Sequence, residues 1–430
     1  VRRQKIQLLD RVQAIRLLVK DQQIYGVLCL DMRNQGNYSY LLIWCSDVIL
    51  ATGGPAGIYH DSVYPASQLG STGMAFEAGA EGKNLTEWQF GLASLNPRWN
   101  VSGTYMQVLP RFISTDAKGG DEREFLLDFY QDMGQMLSMV FLKGYQWPFD
   151  VSKIFGGSSV IDLLVYQETV LKGRKVYLDF TQNPGGGDIP FEKLSSEAYD
   201  YLKQAGALFG TPIERLKQMN EPAIAFYQDH QVNLYQEPLE IAVCAQHNNG
   251  GIGADKYWET RIKGLFAAGE VCASHGVTRP GGTALNAGQV GALRAAERIH
   301  LRKIHGENRE ENLQKIQEEL LKEAEEFTAL ASQAHGKEDA GAMWVNAAKR
   351  MSAMGGMIRD QKRMKEALEK TNQELEHYLE RVKHPKESQL PLFYRLRDML
   401  ITQKVYLSAM LDYAQSGAGS RGSALYTGAS

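Results

Sequence analysis

Cysteine is scarce in this sequence: four in 430 residues, Cys29, Cys45, Cys244 and Cys272, with no C-x-x-C pair among them. That spacing argues against a zinc site and against a disulfide framework. Each sits among apolar neighbours, so buried free thiols in a reducing, cytoplasmic setting are expected. A surplus of one charge is missing too. Lysine and arginine total 47 against 50 aspartates and glutamates, a net charge of −3. Binding nucleic acid takes a basic face that neutralises phosphates, so no such partner is expected. No apolar run approaches the roughly 20 residues needed to span a bilayer, so no transmembrane segment is expected. The chain starts at Val1 without a signal-peptide pattern and shows no internal repeat.

The balance of 43% hydrophobic and 23% charged residues is that of a folded globular chain, and the length suggests about two or three domains. Glycine is abundant, with 42 residues, about one and a half times the usual share, and it is clustered. Such clusters mark backbone that turns tightly or approaches a ligand. Gln4–Leu9 and Val12–Lys20 read as strand or short helix. Tyr25–Asp31 and Tyr38–Trp44 read as strands around the turn Asn34-Gln35-Gly36-Asn37. Leu41–Leu50 reads as one apolar strand ending in Ala51-Thr52-Gly53-Gly54. Gly70-Ser71-Thr72-Gly73 then opens a short helix, Met74–Ala80. Val176–Phe180 and Gly264–Ala268 are further strands, and Pro280-Gly281-Gly282 precedes a helix over 283–301. After Glu307 two amphipathic stretches predict a helical bundle, with Gly355-Gly356 as an interruption or close contact and Ser416–Gly422 as a flexible tail.

Gly417-x-Gly419-x-x-Gly422 matches the dinucleotide fingerprint letter for letter. It follows a helix and opens none, whereas the fingerprint works between a strand and a helix N-terminus. Three other glycine segments carry more weight together. They are the strand end Val48–Gly54, the run Gln246–Ile252, and Gly264–Glu270 continuing through His275-Gly276-Val277-Thr278-Arg279-Pro280-Gly281-Gly282 into a helix. In the last, a strand delivers the acid Glu270, and the helix start favours an electron-rich acceptor such as a flavin.

In this order the segments resemble the flavoprotein subunits of succinate dehydrogenase and fumarate reductase, a family that includes L-aspartate oxidase. The Ala-Thr-Gly-Gly strand end, the helix after Gly70, the strand at Val176–Asp179, the His-Gly-x-x-Arg-x-Gly-Gly run and Ser420-Arg421-Gly422 carry the resemblance over roughly 26–422. It implies an α+β fold: an α/β FAD-binding domain with an inserted capping domain, plus a C-terminal helical bundle. The expected division is 1–90 and 246–305 for FAD, 91–245 for the cap and 306–430 for the bundle. The family's N-terminal nucleotide-binding strand has no counterpart, so an N-terminal truncation is expected.

The resemblance implies FAD as cofactor, hydride transfer between flavin N5 and a small-molecule substrate, and an unidentified electron donor or acceptor. It places Thr52, Gly53, Gly54, Glu270, Arg279, Gly282, Ala284 and Leu285 at the cofactor, with Glu270 on the ribityl chain. Arg279 would clamp a substrate carboxylate. Arg279, His247 and Arg111 are the catalytic candidates; Gln246, His247, His275 and Arg279 are the substrate candidates. No metal is expected. Three family positions differ here. Gly91 stands where the family has a histidine after Gln-Phe, Gln246 stands at its second histidine, and Ser159-Val160-Ile161-Asp162 lacks its capping-domain arginine. A substrate other than fumarate is therefore expected. The rival reading is a chain that kept the fold as a non-catalytic binding or scaffold subunit. Gln246–Gly251 and Arg279–Leu285 are expected to converge on one pocket.

Overall fold

The computed structural model describes residues 6–65, 68–304 and 310–428. The first layer is an antiparallel meander of Val12–Lys20, Gln23–Asp31 and Ser39–Trp44. Val12–Lys20 is a strand because Asp21 and Gln22 both take positive φ, the two-residue turn whose twist suits a hairpin. Of the run Gln4–Leu9, Gln4 and Lys5 lie outside the described residues, and the rest is neither helix nor strand.

The apolar run Leu41–Leu50 is two strands, not one. Ser39–Trp44 closes the meander, Cys45 donates its N–H to Tyr25 O, and Val48–Leu50 then pairs in parallel with Leu265–Ala267. An apolar run says that a segment is buried but not where it changes sheet. The helix after the glycine turn is Thr72–Glu77, shifted toward the N-terminus of the expected span.

The central sheet has five antiparallel strands in the order Arg98–Asn100, Trp88–Leu95, Leu239–Asn248, Lys175–Asp179, Arg111–Thr115. Helices such as Met133–Lys143 and Ser159–Tyr166 cover it over a core containing Leu92, Leu137, Val165 and Ile241. Trp88–Leu95 and Leu239–Asn248 are long enough to serve two cores. Leu92 and Ile241 belong to that one, while Trp88, Phe90 and Ala245 pack into a second core shared with the C-terminal helices. The positions 90/91 and 245/246 thus fall inside continuous strands.

Helices Ala340–Met354, Gln361–Glu376 and Leu390–Gln415 pack together. The stretch Met351–Leu368 is not one helix: Gly355 ends the first, and Ile358–Asp360 forms a short strand before the second. The fully buried Arg359 enforces this break by donating to Gly356 O, Thr86 O and Tyr426 Oη. The C-terminal segment is docked rather than a loose tail. Leu425–Thr427 pairs in parallel with Ile358–Asp360, Arg421 pairs with buried Glu87 at 2.7 Å, and Gly422 O accepts from Val151 N. The glycine triplet 417–422 follows the helix Leu390–Gln415 and is followed by a strand, so it opens no helix. No helix among the described residues is long and apolar enough to cross a membrane. Cys29, Cys244 and Cys272 are buried free thiols, but Cys45 is only partly covered.

Candidate functional site

The strand Val48–Leu50 delivers Thr52, Gly53 and Gly54 to the end of the parallel pair. Thr52 Oγ1 donates to Gly70 O, and Gln68 Nε2 donates to Thr52 O at 2.5 Å. Gly53 has φ +73° and Gly70 φ +69°, a backbone that glycine takes without steric cost. Beside them is a cavity of about 510 Å³, lined by Thr52, Gly70, Ser71, Arg11, Arg395 and Asp398 among others. Asp398 accepts from Met74 N at 2.7 Å with one oxygen while the other has no partner, and burial raises its pKa to about 7.

Glu270 ties three segments together. Its carboxylate accepts from Asn248 N at 2.8 Å, from Tyr64 Oη at 2.8 Å and from the Gly54 backbone. Burial pushes its pKa up against those bonds. A side chain at 54 would run into it, since a Cβ there would lie 2.7 Å from Glu270 Cδ. A carboxylate has about four lone-pair sites, so three partners from the chain leave room for one more. Gly269, just before Glu270, has φ +82°, and a Cβ on it would face Gly288 of the helix Thr283–Ile304 at 3.9 Å. That contact sets the acid beside the helix's first turns.

The long strand Leu239–Asn248 carries the next part. Its register with Trp88–Leu95 slips between Ala245 and His247, so Gln246 is an extra residue in a bulge. His247 is 4% exposed and its ring meets His275 edge-to-face at 4.8 Å. His247 Nδ1 lies 3.0 Å from Asn249 Oδ1, and Nε2 has no partner. Burial first, then the nearby Arg279, lowers its pKa to about 3. Burial and Arg279 also lower that of His275. Arg279 Nε donates to Gln89 Oε1 at 2.9 Å, and Gln89 Nε2 returns a bond to Arg279 O. Gln246, His247, His275 and Arg279 thus sit in one neighbourhood despite their separation in sequence. Histidines perturbed by burial beside an arginine make this cluster a candidate site.

Gln89 and Gly91 share a face of their strand, and Trp147 covers Gly91. A Cβ at 91 would lie 2.7 Å from Trp147 Cδ1, closer still to Nε1, and 3.2 Å from Gln246 Nε2. Gln246 Nε2 is spent on Leu92 O at 3.1 Å, and the Trp147 indole N–H has no partner. Tyr64 and Gln89 were not singled out as site residues from the sequence. A glycine inside a buried strand marks a close neighbour, and here that neighbour is Trp147.

Two expected groups stand differently. Arg111 is enclosed by Glu122, Glu124 and Asp179 at 2.8, 2.7 and 3.2 Å on an outer strand of the five-stranded sheet. Three carboxylates occupy its donors, so its observed role is structural. Asp162 is fully buried in an ion pair with Lys143. On the helix start, Ala284 is half-buried, while Leu285 is 78% exposed.

These residues fit a flavin. The 22-residue helix Thr283–Ile304 has no acid in its first turn, so its dipole is not offset there by a carboxylate and favours an electron-rich edge. Nothing lies within 4 Å of a Cβ built on Gly281 or Gly282, which lead into it.

The FAD binding domain family model matches residues 1–121 and 165–285, more than half of the chain. An uncharacterized FAD-dependent oxidoreductase of Methanocaldococcus jannaschii is 26% identical over 420 residues, covering 96% of this chain and 66% of that protein. One component of the fumarate reductase (CoM/CoB) of Methanothermobacter marburgensis is 27% identical over 308 residues, covering 68% of this chain and 45% of its own. The chain therefore spans less than two thirds of the length of these relatives. Among solved structures, the flavoprotein of Escherichia coli quinol fumarate reductase superposes with a TM-score of 0.65 over 98% of this chain and 66% of that one, at 20% identity. That likeness shows the fold. The chain belongs to the FAD binding domain family, with the fold of the fumarate reductase and succinate dehydrogenase flavoproteins, and FAD is its cofactor.

Proposed function

We propose that the protein is an FAD-dependent oxidoreductase of the fumarate reductase and succinate dehydrogenase flavoprotein type, acting on a small organic carboxylate other than fumarate. The observation that carries this reading is the convergence of Arg279, His247 and His275 near the start of the helix Thr283–Ile304. When bound, FAD supplies a two-electron carrier that exchanges hydride at N5. Thr52, Gly53, Gly54, Gly282 and the backbone of Ala284 and Leu285 are the residues proposed to hold it, with the remaining acceptor site of Glu270 turned to a hydroxyl.

Arg279 is the proposed substrate clamp. Gln89 accepts from its Nε and Pro280 O from Nη1 at 3.4 Å, which orients the guanidinium and leaves Nη2 for a carboxylate. His247, His275 and Gln246 line the same neighbourhood. The electron donor or acceptor is a separate molecule that this reading does not identify.

Fumarate is disfavoured on charge. Stabilising a dicarboxylate takes cations or donors at both ends and a proton donor near the reacting carbon. Gly91 contributes no side chain, Gln246 is bonded to Leu92 O, and Asp162 is an acid paired elsewhere. Arg279 remains as the one cation in the cluster. Each missing charge-assisted contact is worth about 1.5–3 kcal/mol, roughly tenfold or more in rate or affinity. The test is anaerobic reoxidation of photoreduced protein-bound flavin. The expected outcome is oxidation by fumarate no faster than in buffer. Robust fumarate-dependent oxidation would overturn the substrate assignment, and a protein that takes up no FAD would overturn the enzymatic reading.

A further inference from the structure

We infer that Asn249 holds His247 in its Nδ1–H form, so that the histidine offers the site an acceptor lone pair at Nε2, and that the substrate meets it with a hydroxyl or an amine. The second half rests on the active-site reading above; the first stands on the hydrogen bonds of Asn249 and on the burial of the ring.

The assignment starts from a carbonyl. Val277 O has no hydrogen to give, so the end of the Asn249 amide 2.9 Å from it is the donating Nδ2. The opposite end, Oδ1, then faces His247 Nδ1 at 3.0 Å. An oxygen acceptor there requires a proton on Nδ1. Flipping the amide would set oxygen against oxygen at Val277. Asn249 is fully buried, and its backbone N–H is bonded to Glu87 O at 3.0 Å, so the amide is held at both ends. A neutral imidazole carries one N–H, which leaves Nε2 bare. Burial and the neighbouring Arg279 keep the ring neutral.

Nε2 is buried and meets no donor among the described residues. The group packed edge-to-face on the ring is His275, whose own Nε2 is also unpartnered. His275 stands on a segment where Gly276, Gly281 and Gly282 have open space around them. A buried acceptor without a donor costs about 1–3 kcal/mol, and a substrate that donates there recovers part of it. A carboxylate or ketone oxygen would instead oppose the bare Nε2 of His247. With Arg279 close by, the favoured substrate carries a carboxylate for the guanidinium and an O–H or N–H for His247. Asn249 is a positioning residue: it acts on the substrate through the tautomer it imposes.

The first arm of the test is nitrogen NMR of the full chain labelled with 15N-histidine, with His247 assigned by His247→Phe. Expected at neutral pH are a protonated, pyrrole-type Nδ1 and a bare, pyridine-type Nε2. Asn249→Leu removes the acceptor and should mix the tautomers. A proton on Nε2 in the wild-type protein, alone or with one on Nδ1, overturns the assignment whether or not the variants fold. In the second arm the FAD-loaded protein is titrated with racemic lactate and with propionate, which differ by one hydroxyl. Lactate should bind at least tenfold more tightly and move the Nε2 signal. Equal binding, or an Nε2 signal unmoved by both, overturns the donor assignment, while the flavin spectrum reports separately on the cofactor.

Discussion

A single methyl group at position 91 probes how Trp147 packs on the strand Trp88–Leu95. In Gly91→Ala the new Cβ would sit 2.7 Å from Trp147 Cδ1 and nearer still to Nε1. Ordinary carbon contacts are about 3.5–4.0 Å, so roughly 1 Å must be found. The backbone beside Trp147 has little freedom to give it, because Phe149 N is bonded to Phe90 O at 2.8 Å and Ser423 Oγ to Phe149 O at 2.5 Å. The indole must therefore turn off the strand. Overpacking of this kind costs about 1–3 kcal/mol, offset by roughly 0.5–1 kcal/mol for replacing glycine inside a strand. A net loss of about 1–2 kcal/mol is expected. The assay is urea unfolding followed by circular dichroism in a double-mutant cycle with Trp147→Ala. In the Trp147→Ala background, Gly91→Ala should cost close to nothing. Equal losses in the two backgrounds would show that Trp147 is not the obstacle and refute the reasoning.

Three further outcomes follow from the same contacts. Arg279→Gln should weaken binding of a carboxylate ligand to the FAD-loaded protein by roughly tenfold or more, the worth of a charge-assisted pair, read from the flavin difference spectrum; unchanged affinity would remove Arg279 from the site. His247 has a folded pKa of about 3 against about 6.5 when unfolded, so the unfolded chain binds more protons between those values. Its contribution is intact above about pH 6.5 and is lost as pH falls toward 3, by up to about 1.4 kcal/mol per pH unit; His247→Phe should flatten that slope in acid unfolding, and an unchanged slope would contradict the assigned shift. Arg421→Ala leaves the buried Glu87 carboxylate without its guanidinium and should cost about 1–3 kcal/mol, measured by thermal unfolding at pH 7; Glu87→Gln should rescue part of it, and no loss would show that the docked C-terminal segment contributes little.

Much of the architecture was legible because its signals are local. The Ala-Thr-Gly-Gly strand end, the glycine turn before Thr72 and the His-Gly-x-x-Arg-x-Gly-Gly run each announce a backbone conformation within a few residues. The α+β class and the flavin followed from the family resemblance that these segments carry in their order. What escaped depends on distant partners. Nothing near Arg111 in sequence says that Asp179 will close its ion cluster, and nothing near Glu270 says that Tyr64 and Asn248 will occupy it. The split of Leu41–Leu50 was hidden because hydrophobicity reports burial and not the sheet that buries it. The ordering of 416–422 was hidden because a glycine-rich stretch looks the same whether loose or docked, and Glu87 lies far away in the chain. The bulge at Gln246 has the same cause: register belongs to a pair of strands, and one strand's sequence does not contain it.

The central claim is that Arg279 and His247 address a substrate beside bound FAD. Its most direct test is the visible spectrum of the purified protein supplied with FAD, recorded with and without lactate, for the wild type and for Arg279→Gln. The account predicts bound flavin with visible bands that bleach on reduction, a spectrum perturbed by lactate in the wild type, and loss of that perturbation, per bound flavin, in Arg279→Gln. Flavin that does not bind, or a lactate response that survives the loss of Arg279, would contradict it.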